Sequence, residues 1–188
     1  MIMKKFVFAS MMCLMAIAAN AQVLTAKTIS KVYADLTSCM DNSEFVYNAE
    51  QKDDVITALC VYSKADRRLK PVRRFEYTYD ASGLLLRRVA YRWNELADDW
   101  LCTGRHDYSM TTNRYSVEYS RWNVRADRFD QSNDKMTYTL LPCDTVQQVC
   151  CYHRERGTSA YQLKFQMDVP ALPVIDDTLM AGRLKVEN

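Results

Sequence analysis

Hydrophobic and polar side chains alternate over much of this chain, and the alternation is clearest from residue 75 onward. Phe75, Tyr77 and Tyr79 are separated by single polar residues. A period of two places the three rings on one side of a β-strand. A polar turn follows at 80–83, in which Gly83 can adopt a positive φ without steric cost. We therefore predict a β-hairpin over this stretch.

The hairpin pattern repeats along the chain. The spacing from Tyr79 to Trp93 recurs from Tyr108 to Trp122, and a polar turn follows each tryptophan. One residue is inserted before Trp122 in the second copy, which indicates a β-bulge. Weaker copies lie on either side, so the sequence predicts about four hairpin repeats.

These repeats lead to a prediction of the whole fold. Short polar turns connect neighbouring strands, which favours antiparallel pairing because parallel pairing needs long crossovers. We predict an all-β protein, an antiparallel meander of about four hairpin repeats in an open or partly closed sheet. The predicted strands are 45–47, 55–62, 75–79, 84–93, 100–110, 114–122, 129–140, 146–153 and 161–169.

The segment 22–44 departs from the strand pattern. Its hydrophobic residues from Thr25 to Met40 fall at helical spacing, and Thr25 or Thr28 can cap a helix there. We predict one short N-terminal helix that covers an edge or a face of the sheet.

The β-hairpin repeat domain is predicted to occupy 45–169. In the tail 170–188, Pro170 and Pro173 cannot donate to a ladder, so regular pairing should pause there. Residues 179–186 can add an edge strand.

Residues 1–21 have the three parts of a secretory signal peptide. Lys4 and Lys5 precede an apolar run, and the small residues Ala19 and Ala21 form a cleavage site. The apolar run is shorter than the roughly twenty residues that span a membrane. We expect an exported protein without stable membrane insertion, located in the periplasm or outside the cell.

The charge balance excludes one class of partner. The chain has 25 basic and 23 acidic residues, and removal of Lys4 and Lys5 with the signal peptide makes the two numbers equal. A general nucleic-acid binder is expected to carry a basic surplus. We therefore expect no nucleic-acid partner.

Two sequence features resemble known families. The segment 77–84, Tyr-Thr-Tyr-Asp-Ala-Ser-Gly-Leu, resembles one unit of the tyrosine-aspartate repeats of large secreted β-shell proteins. With its signal peptide and its Trp-Asn turns at Trp93 and Trp122, the whole chain is similar to a family of small exported Bacteroidetes proteins known only as a domain of unknown function. That resemblance implies an exported hairpin-repeat β protein. It names no activity and supplies no catalytic residues.

Histidines and cysteines are the candidates for catalysis or metal binding. Cys102 and His106 would share one face of a regular strand, so a cysteine-histidine nucleophile or a metal site must be weighed. His153 follows Cys150 and Cys151 closely. However, the spacing of zinc-binding cysteine pairs is missing, and strand cysteines in exported proteins are more often buried or disulfide-bonded. We expect no catalytic residue, no metal site and no cofactor.

Disulfide pairing is open among the cysteines that follow the signal peptide. Six such cysteines allow fifteen complete pairings. In an open sheet, Cys60 and Cys150 would lie beyond the roughly 7 Å that a disulfide spans, so a bridge between them would imply a closed sheet. The six are Cys39, Cys60, Cys102, Cys143, Cys150 and Cys151.

Two kinds of charged stretch can be interpreted either as functional sites or as solvated surface. The acidic turns at 98–99 and 127–134 could chelate calcium or supply paired carboxylates for glycoside hydrolysis, but Asp and Asn also favour turns without any ion. The basic cluster at 64–74, on a predicted loop around Pro71, could grip an anionic glycan or a lipid headgroup, or guard a sheet edge. A solvated surface is the stronger interpretation for both.

Aromatic residues offer the best candidate for a binding surface. We predict ligand binding by Trp93, Trp122, Trp100, Tyr91 and Tyr119. The competing interpretation is a cross-strand aromatic core, which is a normal unit of sheet stability. Trp93 and Trp122 lie at equivalent strand ends beside polar turns, where an exposed ring would suit a sugar or a protein partner.

Three functions follow, in order of preference. The first is a non-enzymatic binding or interaction module that recognises a glycan or a protein through its aromatic face. The second is a structural or envelope-associated protein without a small ligand. The third is a hydrolase that uses the acidic turns or the pair of Cys102 and His106.

Overall fold

A computed structural model describes residues 23–38, 44–65, 68–141, 146–155 and 157–169 of the chain. The predicted signal peptide and the tail 170–188 lie outside the described residues. Within the described ranges, one helix precedes ten strands. The elements are α1 (Ala26–Ser38), β1 (Phe45–Lys52), β2 (Val55–Ala65), β3 (Arg68–Tyr79), β4 (Leu85–Asn94), β5 (Asp99–Thr111), β6 (Arg114–Asn123), β7 (Arg128–Phe129), β8 (Asp134–Leu140), β9 (Val146–His153) and β10 (Gln162–Asp168).

The strands form one open antiparallel sheet. Their order is β1-β2-β3-β4-β5-β6-β8-β9-β10, and the short β7 pairs with the end of β6. Apart from β7 and β8, which both pair with β6, each strand lies beside its neighbour in sequence, as expected when short turns connect antiparallel strands. The predicted antiparallel meander is confirmed, and of the two alternatives the sheet is the open one.

The helix is also confirmed, and Thr25 is its cap. The Thr28 N–H donates to Thr25 Oγ1 at 3.2 Å, while the Thr25 N–H donates to Thr28 Oγ1 at 2.7 Å. This reciprocal pair satisfies two backbone donors at the start of the helix. The helix packs against β1 and β2 at one edge of the sheet.

The structure of the basic cluster at 64–74 differs from the prediction. It was predicted as a loop, but Lys70, Arg73 and Arg74 lie on β3, which begins several residues earlier than the alternation indicates. Pro71 is tolerated because it lies opposite Tyr62, beside an irregularity in the β2–β3 register. Arg74 donates to Glu50 on β1 and to Glu76 on its own strand, and such carboxylate partners allow a charged stretch to pair as a strand.

The register divides the strand residues between two faces. Residues that oppose one another on neighbouring strands share a face, and the two faces alternate along each strand. A row of opposed side chains runs from β3 to β8 on the side that we call the tyrosine face. This row consists of Tyr77, Arg88, His106, Tyr119 and Asp134.

The opposite side carries the tryptophans, and we call it the tryptophan face. Val89 opposes Arg105, and Arg105 opposes Ser120 on the next strand. Trp93 and Trp122 lie an even number of residues beyond Val89 and Ser120, so they share this face.

The buried cluster lies on the tyrosine face around Tyr108 and Tyr115, whose rings stack with their centroids 6.0 Å apart. Val23 and Leu24 pack against this cluster from the N-terminal segment. The Leu85 N–H donates to the Leu24 carbonyl at 2.9 Å, which fastens that segment to the sheet. The cluster consists of Leu85, Tyr108, Tyr115, Leu140 and Val146.

His106 is a titratable group that this packing affects strongly. Its ring lies 5.0 Å from the Tyr119 ring, and Arg88 Nη2 is 3.2 Å from its Nδ1. Arginine can only donate, so Nδ1 must hold a lone pair and the imidazole is neutral. Burial, and secondarily the charge of Arg88, lower the pKa of His106 to about 3.

Lowering the pH is expected to destabilise the fold through His106. The pKa of its side chain is about 3 in the folded protein and about 6.5 in an unfolded chain. The unfolded chain therefore binds more protons between these two values, and stability falls as the pH drops through that window. The free energy of unfolding by urea should fall by roughly 2 kcal/mol between about pH 7 and about pH 5.

The two histidines of the chain provide matched variants for this measurement. His106→Gln should flatten the pH dependence, whereas His153→Gln keeps His106 in place and should retain it. An unfolding free energy of the native protein that is the same at both pH values would contradict the neutral, buried state of His106.

Candidate functional site

The predicted tryptophans form two equivalent aromatic pairs. Trp93 and Trp100 pack edge to face across β4 and β5, with centroids 5.0 Å apart and an angle of 73°. Trp122 and Phe129 pack in the same way across β6 and β7, at 4.8 Å and 74°. All four rings are half-buried. The equivalence agrees with the internal repeat, in which Phe129 replaces Trp100.

The five predicted binding residues do not form one row. Tyr91 lies on the tryptophan face, where its hydroxyl donates to Glu76 Oε2 at 2.8 Å. Tyr119 lies on the opposite, tyrosine face, where its ring covers Gly104. A single aromatic surface built from all five is therefore not present, because the register sends Tyr119 to the other side of the sheet.

The Cys102 and His106 pair is also separated by the sheet. In β5, Cys102 opposes Tyr91 while His106 opposes Arg88. Tyr91 and Arg88 are three residues apart on a regular strand and so face opposite sides. A β-bulge at Thr103 shifts the alternation, which makes the predicted shared face wrong.

The described cysteines are free. Cys60, Cys102, Cys150 and Cys151 form no disulfide, while Cys39 and Cys143 lie outside the described residues. Burial raises the pKa of the Cys102 and Cys151 thiols, which disfavours the nucleophilic thiolate.

The acidic turns have a structural reason for their composition. Asp98 and Asp127 occupy the same position in two copies and both adopt a positive φ, of 51° and 48°. Aspartate tolerates this conformation better than most residues. Within the described ranges, no three His, Cys, Asp or Glu side chains are grouped in a way that could hold a metal ion.

The two hairpin copies that carry the aromatic pairs differ in the number of residues that face β4 and β6 beside each pair. Between the opposed positions Ala90–Gly104 and Trp93–Trp100, β4 has two residues and β5 has three. The extra residue is taken up as a β-bulge within a continuous strand.

In the second copy, the segment that faces β6 is one residue longer, and it does not stay within the sheet. Between the opposed positions Tyr119–Asp134 and Trp122–Phe129, β6 has two residues and the facing segment has four. Residues 130–133 leave the ladder, so the predicted strand 129–140 is divided into β7 and β8. The bulge of one copy has become a loop in the other.

This loop forms one wall of a cleft on the tryptophan face, with a volume of about 500 Å³. The sheet contributes side chains from β5 and β6, and Arg154 reaches in from the end of β9. The lining consists of Arg105, Asp107, Glu118, Ser120, Arg128, Phe129, Asp130, Gln131, Ser132 and Arg154.

Ion pairs organise the sheet side of the cleft. Asp107 accepts from Arg87 Nε and Arg105 Nε, each at 2.7 Å. The Arg105 guanidinium also lies over the Phe129 ring, 4.5 Å from its centroid. This cation–π contact joins β5 to β7 and holds Phe129 at the wall of the cleft.

Tyr161, just before β10, contacts the side of the cleft that Glu118 and Arg154 form. Its hydroxyl donates to Glu118 Oε2 at 3.2 Å, and Lys135 Nζ is 3.0 Å from Glu118 Oε1. The Arg154 guanidinium lies 4.6 Å from the Tyr161 ring centroid and donates to the Ser132 carbonyl. These contacts connect the loop to strands that are distant in sequence.

The cleft is balanced in charge and rich in hydrogen-bonding groups. Arg128 and Gln131 are exposed, whereas Ser120 and Ser132 are buried. Such a lining offers donors and acceptors together, without a net surplus of either sign. The arginines are Arg105, Arg128 and Arg154, and the carboxylates are Asp107, Glu118 and Asp130.

Sequence reasoning missed most of these cleft residues. Arg105, Glu118 and Arg154 come from separate strands, and only the register brings them to one place. The available signal was the polar run 130–133, which interrupts an otherwise alternating strand.

The sequence of this chain matches a known family. Residues 2–140 match a family of unknown function, DUF3836. The chain belongs to this family. The resemblance to a Bacteroidetes family of unknown function is thereby confirmed, and comparison with curated protein sequences gives no match.

The fold of this DUF3836 protein is similar to that of one solved structure, and a second solved structure belongs to the same family. A Bacteroides fragilis protein of unknown function has a TM-score of 0.61 and 23% identity, covering 69% of this chain and 95% of its own. A DUF3836 protein from Bacteroides vulgatus has a TM-score of 0.45 and 22% identity, covering 46% of this chain and 89% of its own. In the described part of the DUF3836 chain, no helix is long and apolar enough to cross a membrane.

Gly104→Ala is expected to destabilise this DUF3836 protein. A Cβ at this position would lie 2.7 Å from Tyr119 Oη and 3.0 Å from the Ser120 carbonyl oxygen. Overpacking of this kind costs about 1–3 kcal/mol, measured as a loss in the free energy of unfolding. The double variant with Tyr119→Ala should recover part of the loss, because the ring supplies the closest contacts. Strictly additive effects would contradict the packing of Tyr119 over Gly104.

Proposed function

We propose that this protein is an exported, non-enzymatic binding module that takes a neutral oligosaccharide in the cleft beside the Trp122–Phe129 pair. The single observation that carries the proposal is a charge-balanced cleft with an aromatic wall. Export is proposed from the three-part signal sequence at 1–21, which ends in small residues.

The size of the cleft supports a small ligand. Binding sites for small molecules commonly enclose about 300–1,000 Å³, and this cleft has about 500 Å³. A volume of this order suits a few sugar units better than a folded protein partner.

The charges of the cleft favour a neutral ligand. Asp107 is shared by two arginines, and Glu118 is engaged by Lys135 and Tyr161. Three arginines and three carboxylates line the cleft, so it presents no net charge that would select an anion or a cation. Sugar hydroxyls both donate and accept, so they suit a lining of arginine, carboxylate and amide groups.

The aromatic wall supplies the apolar part of recognition. The Phe129 ring packs against Trp122 in an edge-to-face pair, and the Arg105 guanidinium lies over its face. A ring fixed in this way offers contact area at low conformational cost, and the C–H face of a sugar ring can pack against it.

A binding role is favoured over hydrolysis by the same contacts. Hydrolysis of a glycosidic bond needs two carboxyl groups free to act on the substrate from opposite sides. Asp107 and Glu118 are both committed to cationic or hydroxyl partners of the protein. These commitments support recognition without chemistry.

A glycan array probed with the purified protein tests this function. Phe129→Ala should lower affinity for the bound oligosaccharide at least about fivefold, because it removes an aromatic contact worth about 1 kcal/mol. Trp100→Ala is the matched control, since it breaks the equivalent pair outside the cleft. It should leave binding unchanged.

Each alternative predicts a different outcome. Loss of binding in Trp100→Ala but not in Phe129→Ala would move the site to the Trp93–Trp100 pair and overturn the cleft as its location. An array without any bound glycan would favour the structural role. Arg128→Ala, an exposed cleft variant, separates lost recognition from lost folding if its unfolding transition matches that of the native protein.

A further inference from the structure

The last described strand, β10, is unusual because every one of its residues is exposed. Its apolar side chains Leu163, Phe165 and Met167 are 50%, 54% and 47% exposed. Phe165 and Met167 lie on one face of the strand, whereas a β-bulge at Lys164 places Leu163 on the other face. In the described chain, β10 pairs only with β9.

The opposite edge of the sheet is protected, in contrast. The outer strand β1 ends in the polar stretch 48–52, of which Ala49 alone is apolar, and α1 packs against β1 and β2. Natural proteins guard sheet edges with charges or cover them with a helix. On β10 the charged residues are Lys164 and Asp168, and no described helix covers the strand.

The backbone of β10 presents hydrogen-bonding groups at this edge. The Val169 N–H donates to the Gln147 carbonyl at 2.8 Å, so the odd-numbered residues near the end of β10 bond to β9. Alternation then directs the N–H and C=O groups of Gln166 and Asp168 away from β9. These groups can pair with another strand.

We propose that β10 is a dimerisation edge at which two copies of this chain pair antiparallel through β10, forming one continuous sheet. The twofold axis passes beside Gln166, which opposes its own copy. This inference does not depend on the proposed glycan site.

The sequence of β10 is self-complementary in this register. Lys164 opposes Asp168 of the second copy on both sides of the axis, which gives two cross-strand ion pairs. Phe165 opposes Met167, which covers the exposed apolar side chains with one another. Within one chain, Lys164 Nζ donates to Gln162 Oε1 at 3.2 Å, and Asp168 Oδ1 accepts from Gln148 Nε2 at 2.9 Å. Both side chains end at the surface, where they can reach a second copy.

The alignment of outward groups agrees with the same register. Antiparallel pairing requires that residues with outward N–H and C=O groups oppose one another. Gln166 opposes itself, so its outward groups meet those of its own copy, and Asp168 opposes Lys164 at the β-bulge.

Sedimentation velocity over a range of protein concentrations tests the proposal. The purified chain should contain a dimer whose fraction rises with concentration. Lys164→Asp alone and Asp168→Lys alone should each shift the protein to monomer, since each places like charges opposite one another. An equimolar mixture of the two variants should restore a dimer, because unlike charges then meet.

A cross-link checks the register directly. Gln166→Cys should form a disulfide-linked dimer on a non-reducing gel, because opposed Cα atoms in a hydrogen-bonded pair lie about 5.5 Å apart. Gln162→Cys lies far from the axis and should not, and the native protein is run beside both to account for its own cysteines.

Three results would overturn the proposal. One is a monomer at every concentration with native circular dichroism. Another is a dimer that neither charge variant weakens. The last is a dimer that forms only after residues 170–188 are removed, which would show that the edge is occupied within the intact chain.

Discussion

The antiparallel register is the constraint on which the rest of this structure depends. Because the strands form one open sheet instead of two packed layers, the partner of each residue on the next strand decides which face it occupies. A slip of one residue would exchange the tyrosine face and the tryptophan face. The buried cluster, the neutral His106 and the charged cleft all follow from this assignment.

The two faces of the sheet differ in composition: the tyrosine face carries the buried cluster, and the tryptophan face carries charged side chains. On the tyrosine face, stacked rings around Tyr108 and Tyr115 bury one another, and Val23 and Leu24 cover part of this cluster. On the tryptophan face, long charged side chains cover the sheet and pair across strands, as Arg87 does with Asp107. An antiparallel sheet can pack one face on a core and leave the other face in solvent, so the polar face is free to carry a site.

The cleft arises from a small departure from repetition. Both copies place two residues between their opposed pairs on one strand, but the facing segment has three residues in the first copy and four in the second. Three residues fit a bulge, whereas four force the backbone at 130–133 out of the ladder. Arg154 and Tyr161 then fasten the displaced segment from beyond β9. The repeated hairpins form the sheet, and the loop at 130–133, where the repeat is one residue longer, forms a wall of the cleft.

The alternation of side chains was sufficient to predict the antiparallel meander, and helical spacing predicted the helix that Thr25 caps, because these depend on neighbours in sequence. Tertiary structure decided the remainder. A bulge at Thr103 separated Cys102 from His106, the register sent Tyr119 away from the tryptophans, and Glu50 and Glu76 allowed the basic stretch around Arg74 to pair as a strand. The cleft joins side chains from β5, β6 and the end of β9, and local pattern carries no information about such distances. Periodicity specifies which side of a strand a residue takes, but only pairing across strands specifies what it meets there.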